Sequence, residues 1–271
     1  MDSKEALKKL KTELKLKGSS ELTIRNYSWF VEKFLKQTKK NIEELNEEDV
    51  KSFLAAMIDT KSRSTVSLAA SSLKFFFSEI LKKPISSTKL PKKEKKLPEV
   101  LTKDEVRRMM ELTETRKSKL ILQMLYSSGM RVSELVKLKI TDLNTEERIG
   151  WVRSGKGKKD RLFVLPEKLI IELKDYIEEH KENTYLFSKE KPLTTRNIQK
   201  IIKNLSQKAE IQKKVTPHTL RHSYATHLLE SGTDIRKIQA LLGHENLSTT
   251  QIYTHVSTEE LKKVRNPLDD L

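Results

Sequence analysis

Along residues 1–81 apolar side chains return every three to four positions, the spacing of one helix face. Ala6, Leu10, Leu14 and Leu16 mark an opening amphipathic stretch. After Gly18, Ser20 stands where it can cap a second helix bearing Ile24, Tyr27, Phe30, Val31 and Phe34. Asn46 stands before a third, with Val50, Phe53, Leu54 and Met57, and a fourth carries Val66, Ala69, Leu73, Phe76, Phe77 and Ile80. This pattern predicts a small all-helical bundle with an aromatic core. Beyond residue 98 the pattern mixes types. Thr102-Lys103-Asp104-Glu105 reads as a capping box, and residues 120–126 as a strongly apolar helical segment. Residues 149–153 and 161–165 alternate like strands, and Gly155-Lys156-Gly157-Lys158-Lys159 between them reads as a hairpin turn. Helical patterns follow at 167–179, 195–208, 217–231, 234–242 and 249–254. The predicted fold is mainly α: an all-helical N-terminal bundle plus an α+β domain with a small antiparallel sheet.

The two patterns are separated by KKPISSTKLPKKEKKL, residues 82–97, which holds seven lysines, one glutamate and two prolines. Proline interrupts a helix and like charges extend a chain, so a basic linker is predicted over 82–98, between domains at 1–81 and 99–271. The whole chain of 271 residues carries a formal charge of +16, with 36% hydrophobic residues. Residues 1–98 hold 22 basic and 13 acidic groups, net +9, and the remainder is net +7. Both parts therefore favour a polyanionic partner, of which nucleic acid is the commonest. No apolar run is long enough to span a bilayer, and Met1-Asp2-Ser3-Lys4-Glu5 opens a charged stretch without a signal-peptide core, which predicts a cytoplasmic chain with no membrane partner. With no cysteine, thiol nucleophiles, disulfides and cysteine-based metal sites are excluded.

Candidate chemistry collects in four places. In Thr216-Pro217-His218-Thr219-Leu220-Arg221, a good N-cap precedes a proline suited to the first helical position. His218 and Arg221 then share a face near the positive helix end, an arrangement suited to phosphate, although the segment taken alone reads more simply as a capped helix with two solvent-facing polar residues. Gly129-Met130-Arg131 puts an arginine at a glycine bend, with Glu134 one turn on to hold its guanidinium; a surface ion pair would read the same way. Lys156 sits in the glycine-flanked turn. His244 follows Leu241-Leu242-Gly243, and Tyr253 comes nine residues later.

Taken in order, Arg131, Lys156, His218-x-x-Arg221, His244 and Tyr253 resemble the tyrosine recombinase, or phage integrase, family. The likeness is clearest in GMRVSELVKL, TPHTLRHSYATHLLESG and LGHENLSTTQIYTHV. Within the family, compact size and the short tail after Tyr253 are most similar to the Xer recombinases, including their archaeal single-protein type. The resemblance implies a core-binding helical domain, a catalytic domain, and a catalytic set of Arg131, Lys156, His218, Arg221, His244 and Tyr253, with Glu134 in support. It implies that Tyr253 attacks a DNA phosphodiester to form a 3′-phosphotyrosyl bond, and that a Holliday junction follows, with no ATP, no cofactor and no metal. Double-stranded DNA is the implied partner, gripped by a clamp to which Lys82, Lys83, Lys89, Lys92, Lys93, Lys95, Lys96, Lys158 and Lys159 contribute. A homo-tetramer on DNA, monomer or dimer when free, is implied as well. The tail, with Leu261, Val264, Pro267, Leu268 and Leu271, docks either in a neighbouring subunit or on its own. Resolution of chromosome dimers at a dif-like site is the expected task, with integration or excision of a mobile element as the alternative.

Three rivals compete. His218 and His222 have the i, i+4 spacing of zinc ligands, but no HExxH occurs and His227 falls about 180° round the helix from His218. A DNA-binding regulator without catalysis explains the charge but not the ordered arginines, lysine and tyrosine. A type IB topoisomerase shares the chemistry, and the compact helical N-terminal domain favours the recombinase.

Overall fold

The structure, a computed structural model, describes residues 1–85, 98–153 and 160–243. It divides into two compact units, Met1–Lys95 and Lys96–Leu271. In the first, α1 (Ser3–Leu16), α2 (Glu21–Thr38), α3 (Glu47–Ile58) and α4 (Arg63–Phe75) are each opened by a side-chain cap: Asp2, Ser20, Asn46 and Ser62 accept from backbone N–H groups of the first turn. Asn46 and Asp49 form a reciprocal capping box. Their inward faces bury Phe34, Phe76 and Phe77 completely, and Phe34 meets Phe53 edge to face at 5.4 Å. The run expected to continue as α-helix to Ile80 instead widens into a π turn over Phe76–Ile80, which shifts the register of the apolar stripe at the end of the bundle. The unit also reaches past residue 81. The Lys83 backbone N–H donates to the Phe77 carbonyl, and Ile85 packs against the aromatic core, so the first residues of the expected linker close the bundle.

The second unit contains α5 (Lys103–Glu111), α6 (Arg116–Ser128), α7 (Val132–Leu135), β1 (Leu143–Asn144), β2 (Ile149–Val152), β3 (Arg161–Val164), α8 (Glu167–Glu179), α9 (Thr195–Lys208), α10 (Pro217–Glu230) and α11 (Ile235–Leu242). The strands form an antiparallel sheet in the order β1-β2-β3, with Gly150 opposite Phe163 and Val152 opposite Arg161. Sequence pattern predicts β2 and β3 but not β1, whose two residues are too few to alternate. Thr102 and Glu105 make the expected capping box of α5. Helix α10 is buried on most of its circumference, with Leu220, Ser223 and Ala225 inaccessible to solvent. It packs against α6, α9 and α11, and α6 in turn packs against β3, α8 and α9. Among the described residues, no helix is long and apolar enough to cross a membrane. The expected hairpin turn, the helix at 249–254, the apolar tail and most of the basic linker lie outside the described residues.

Candidate active site

Three helix ends converge in the second unit. Helix α6 stops at Gly129, which takes a left-handed conformation with φ 57°. A Cβ at that position would stand 2.5 Å from the Tyr224 ring and 2.7 Å from Leu242, so the close approach of α10 and α11 requires glycine here. Two residues on, Arg131 is the N-cap of α7. The Glu134 carboxylate reaches back to it twice, with Oε2 accepting from the Arg131 backbone N–H and Oε1 from its Nη1, each at 2.8 Å. This is a capping contact and an ion pair made by one carboxylate, and it fixes the Arg131 side chain in a single direction.

Helix α10 begins as its sequence suggests. The Thr216 hydroxyl accepts from the Thr219 N–H at 3.2 Å, the Thr219 hydroxyl accepts from the Thr216 N–H at 3.1 Å, and Pro217 is the first helical residue. That places His218 in the first turn and Arg221 one turn later. Arg221 is only 3% exposed. Its Nη1 donates to the Gly129 carbonyl, and its Nη2 donates to the Leu242 carbonyl at 2.6 Å. Both acceptors lie at helix C-termini, where carbonyls lack intrahelical partners and the helix dipole is negative. A buried guanidinium is thus held by the ends of α6 and α11.

His218, Arg131 and Arg221 act on one another. Burial pushes the His218 imidazole below its ordinary pKa, and the positive charges of Arg221 and then Arg131 add to this, against an opposing pull from Glu134. The ring is therefore neutral at pH 7 and can accept a proton. His222, the next turn along, is pushed down to about 4 by burial and then by His218 and Arg221. At Glu134, burial acts to raise the pKa, but Arg161 and then the donors of Arg131 outweigh it and keep the carboxylate ionised.

Arg161 is the residue that the reading of the sequence missed. Its Nη2 donates to Glu134 Oε2 at 2.5 Å and its Nη1 to the Leu241 carbonyl at 2.9 Å, so Glu134 bridges two arginines. A signal existed: alternation along β3 puts Arg161 on the same inward face as the buried Phe163.

Of the other residues selected from sequence, Lys156, Lys158, Lys159, His244, Tyr253, Lys89, Lys92, Lys93, Lys95 and Lys96 lie outside the described residues. Lys82 is exposed in a left-handed conformation, φ 54°. The Lys83 ammonium donates to the carbonyls of Glu43 and Leu45, which ties it to the bundle rather than leaving it a lone surface cation. The third histidine of the metal rival, His227, hydrogen-bonds the Tyr126 hydroxyl at 2.8 Å, and no group of three or more potential ligands stands together among the described residues.

Comparison with known proteins gives the same direction over both units. The phage integrase family matches residues 99–260, and the phage integrase N-terminal SAM-like domain matches residues 7–87. Tyrosine recombinase XerA of Pyrococcus furiosus is 42% identical, across 96% of this chain and 92% of its own length. The crystal structure of a XerA recombinase aligns with a TM-score of 0.58 at 34% identity, covering 98% of this chain and all of the other. A XerH site-specific recombinase, bound to palindromic difH substrate in a post-cleavage complex, aligns with a TM-score of 0.77 at 25% identity over 95% of this chain and 83% of that one. With matches of this extent across both units, the chain belongs to the phage integrase family and is a tyrosine site-specific recombinase.

Proposed function

We propose that this recombinase cuts and rejoins double-stranded DNA through a 3′-phosphotyrosyl intermediate, and that it resolves chromosome dimers at a dif-like site. The observation that carries the chemistry is the pair of arginines, Arg131 fixed by Glu134 and Arg221 by helix-end carbonyls, with His218 close enough to feel both charges. In the proposed reaction the Tyr253 hydroxyl attacks a backbone phosphorus and gives its proton to His218. The P–O5′ bond breaks as the P–O(Tyr) bond forms, and Lys156 protonates the departing 5′ oxygen. Arg131 and Arg221 balance the charge that grows on the non-bridging oxygens, and His244 hydrogen-bonds one of them. In the second half the 5′-hydroxyl of a partner strand attacks the phosphotyrosine, and the proton transfers run in reverse. The number of phosphodiester bonds is conserved, so ATP has no role.

The site preference follows the relatives. A XerH recombinase is known with its difH substrate both before and after cleavage, and the XerA likeness spans nearly the whole chain. A net charge of +16 spread over both units supports a large phosphate footprint, with the linker lysines other than Lys83 on the DNA backbone and a tetramer assembled on two sites. The test is a suicide duplex carrying the terminus-region repeat of the source genome. Wild-type protein is expected to accumulate a covalent adduct whose DNA-linked peptide contains Tyr253. Tyr253→Phe should bind the duplex and form no adduct. An adduct that survives this substitution would remove Tyr253 as nucleophile, and adducts on unrelated duplexes at the same rate would remove the site assignment.

A further inference from the structure

We propose that Arg161 is a positioning residue for strand cleavage: it ties the carboxylate that holds Arg131 to the end of the helix that precedes His244 and Tyr253 in the chain. The inference rests on the recombination chemistry proposed above and concerns a residue outside its reacting set. Arg161 opens β3, five residues after Lys156. Its side chain is 8% exposed and that of Glu134 is 6% exposed, so this ion pair is shielded from water, whereas Arg131 on the other side of Glu134 is 22% exposed. A continuous line of hydrogen bonds runs from Arg131 through Glu134 and Arg161 to the Leu241 carbonyl at the end of α11.

Two details show that α11 closes on this side chain. Gly243 caps the helix in a left-handed conformation, φ 63°, and a Cβ there would stand 2.6 Å from Arg161 Cδ. Arg161 Nε is buried with no hydrogen-bond partner among the described residues, so the guanidinium is oriented by its two terminal nitrogens alone, one on Glu134 and one on the helix end. A direct phosphate contact is a poor use of such a group, because the shielded Glu134 carboxylate already offsets its charge, whereas the hydrogen bonds described above hold Arg221 on neutral backbone carbonyls. Stability is a poor explanation too, since a buried ion pair contributes little that a well-packed apolar residue would not. What the pair supplies is alignment: the direction of Arg131 and the end of α11 share one planar group, so the clamp on phosphate and the end of α11 keep a common reference.

The experiment measures single-turnover adduct formation on the suicide duplex at saturating protein, with equilibrium DNA binding and thermal melting measured beside it. Wild type, Arg161→Met, Arg161→Lys, Glu134→Gln and the Glu134→Gln/Arg161→Met pair are compared. Arg161→Met is expected to bind DNA like wild type and to cleave on the order of 100-fold more slowly, as misplaced groups do. Arg161→Lys should recover part of the rate, since an ammonium reaches one of the two acceptors but not both with fixed geometry. The double variant should cleave no more slowly than the slower single one, because both changes break the same line. If Arg161→Met unfolds, the lysine and double variants carry the test, the latter leaving no lone buried charge. Wild-type cleavage rates in folded Arg161 variants, losses that multiply in the double variant, or a loss of binding equal to the loss of rate would overturn the proposal. Wild-type protein that forms no adduct would overturn the recombination chemistry itself, and with it any positioning role.

Discussion

In the N-terminal unit Phe34, Phe76 and Phe77 lie wholly buried, while in the second unit Arg221 is 3% exposed and Arg161 9%. The aromatic core is held by contact area, which is non-directional, so many packings of similar volume would serve. The arginine cluster is held by directed bonds to Glu134 and to the carbonyls of Gly129, Leu241 and Leu242, and each partner has one workable position. The difference separates two kinds of damage. Substitutions in the bundle should lower stability and leave the chemical step intact. Substitutions in the cluster should stop the chemistry in a chain that still folds.

The largest expected effect in stability is Phe34→Ala, which removes a fully buried ring that meets Phe53 and Phe77 edge to face. It should cost about 3–5 kcal/mol in chemical denaturation. The folded fraction should still cleave at the wild-type single-turnover rate; a rate loss beyond the unfolded fraction would erase the contrast. Next comes Arg221→Ala, expected to slow cleavage by about 10²–10³-fold, the range for a lost transition-state donor. A loss below about tenfold at saturating DNA would make Arg221 a structural brace only.

The smallest effect is in pH dependence. Because burial, Arg221 and Arg131 depress the His218 pKa, the acid limb of the cleavage rate should fall below the ordinary histidine value of 6.5. Arg131→Ala removes one of those charges and should move the limb upward. The direction for stability is the same. His222 titrates at about 4 when folded and at 6.5 when unfolded, so its contribution is complete above 6.5 and is lost as pH falls toward 4. An acid limb at or above 6.5 in the wild type would show that a different group accepts the proton.

Legibility in the sequence follows the same division. Long helices with regular apolar stripes, such as α2 with Phe30, Val31 and Phe34, declare themselves by period, and caps such as Thr216 with Pro217 declare their starts. The π turn at Phe76–Ile80 does not, because the same residues also satisfy an α-helical stripe. Helix α7 has four residues and β1 has two, too short for any periodicity to register. Arg131, Glu134, His218 and Arg221 could be selected by spacing, but the carbonyls that hold Arg221 are backbone groups, which leave no mark on composition. Arg161 is hard to select from sequence because an arginine beside a basic hairpin resembles further surface charge. Its parity with Phe163 places it on the inward face. Lys83 shows the converse, a lysine of the basic run that turns back onto the Glu43 and Leu45 carbonyls.

The central claim is that fixed guanidinium charge neutralises a phosphate as it is attacked. The most direct test replaces one non-bridging oxygen of the scissile phosphate with a methyl group, which removes the negative charge, and compares single-turnover cleavage by wild type, Arg131→Ala and Arg221→Ala. On the neutral methylphosphonate the alanine variants should regain most of the rate they lose on the native diester. Equal losses on both substrates would contradict the claim and leave the two arginines with a role in folding or DNA binding alone.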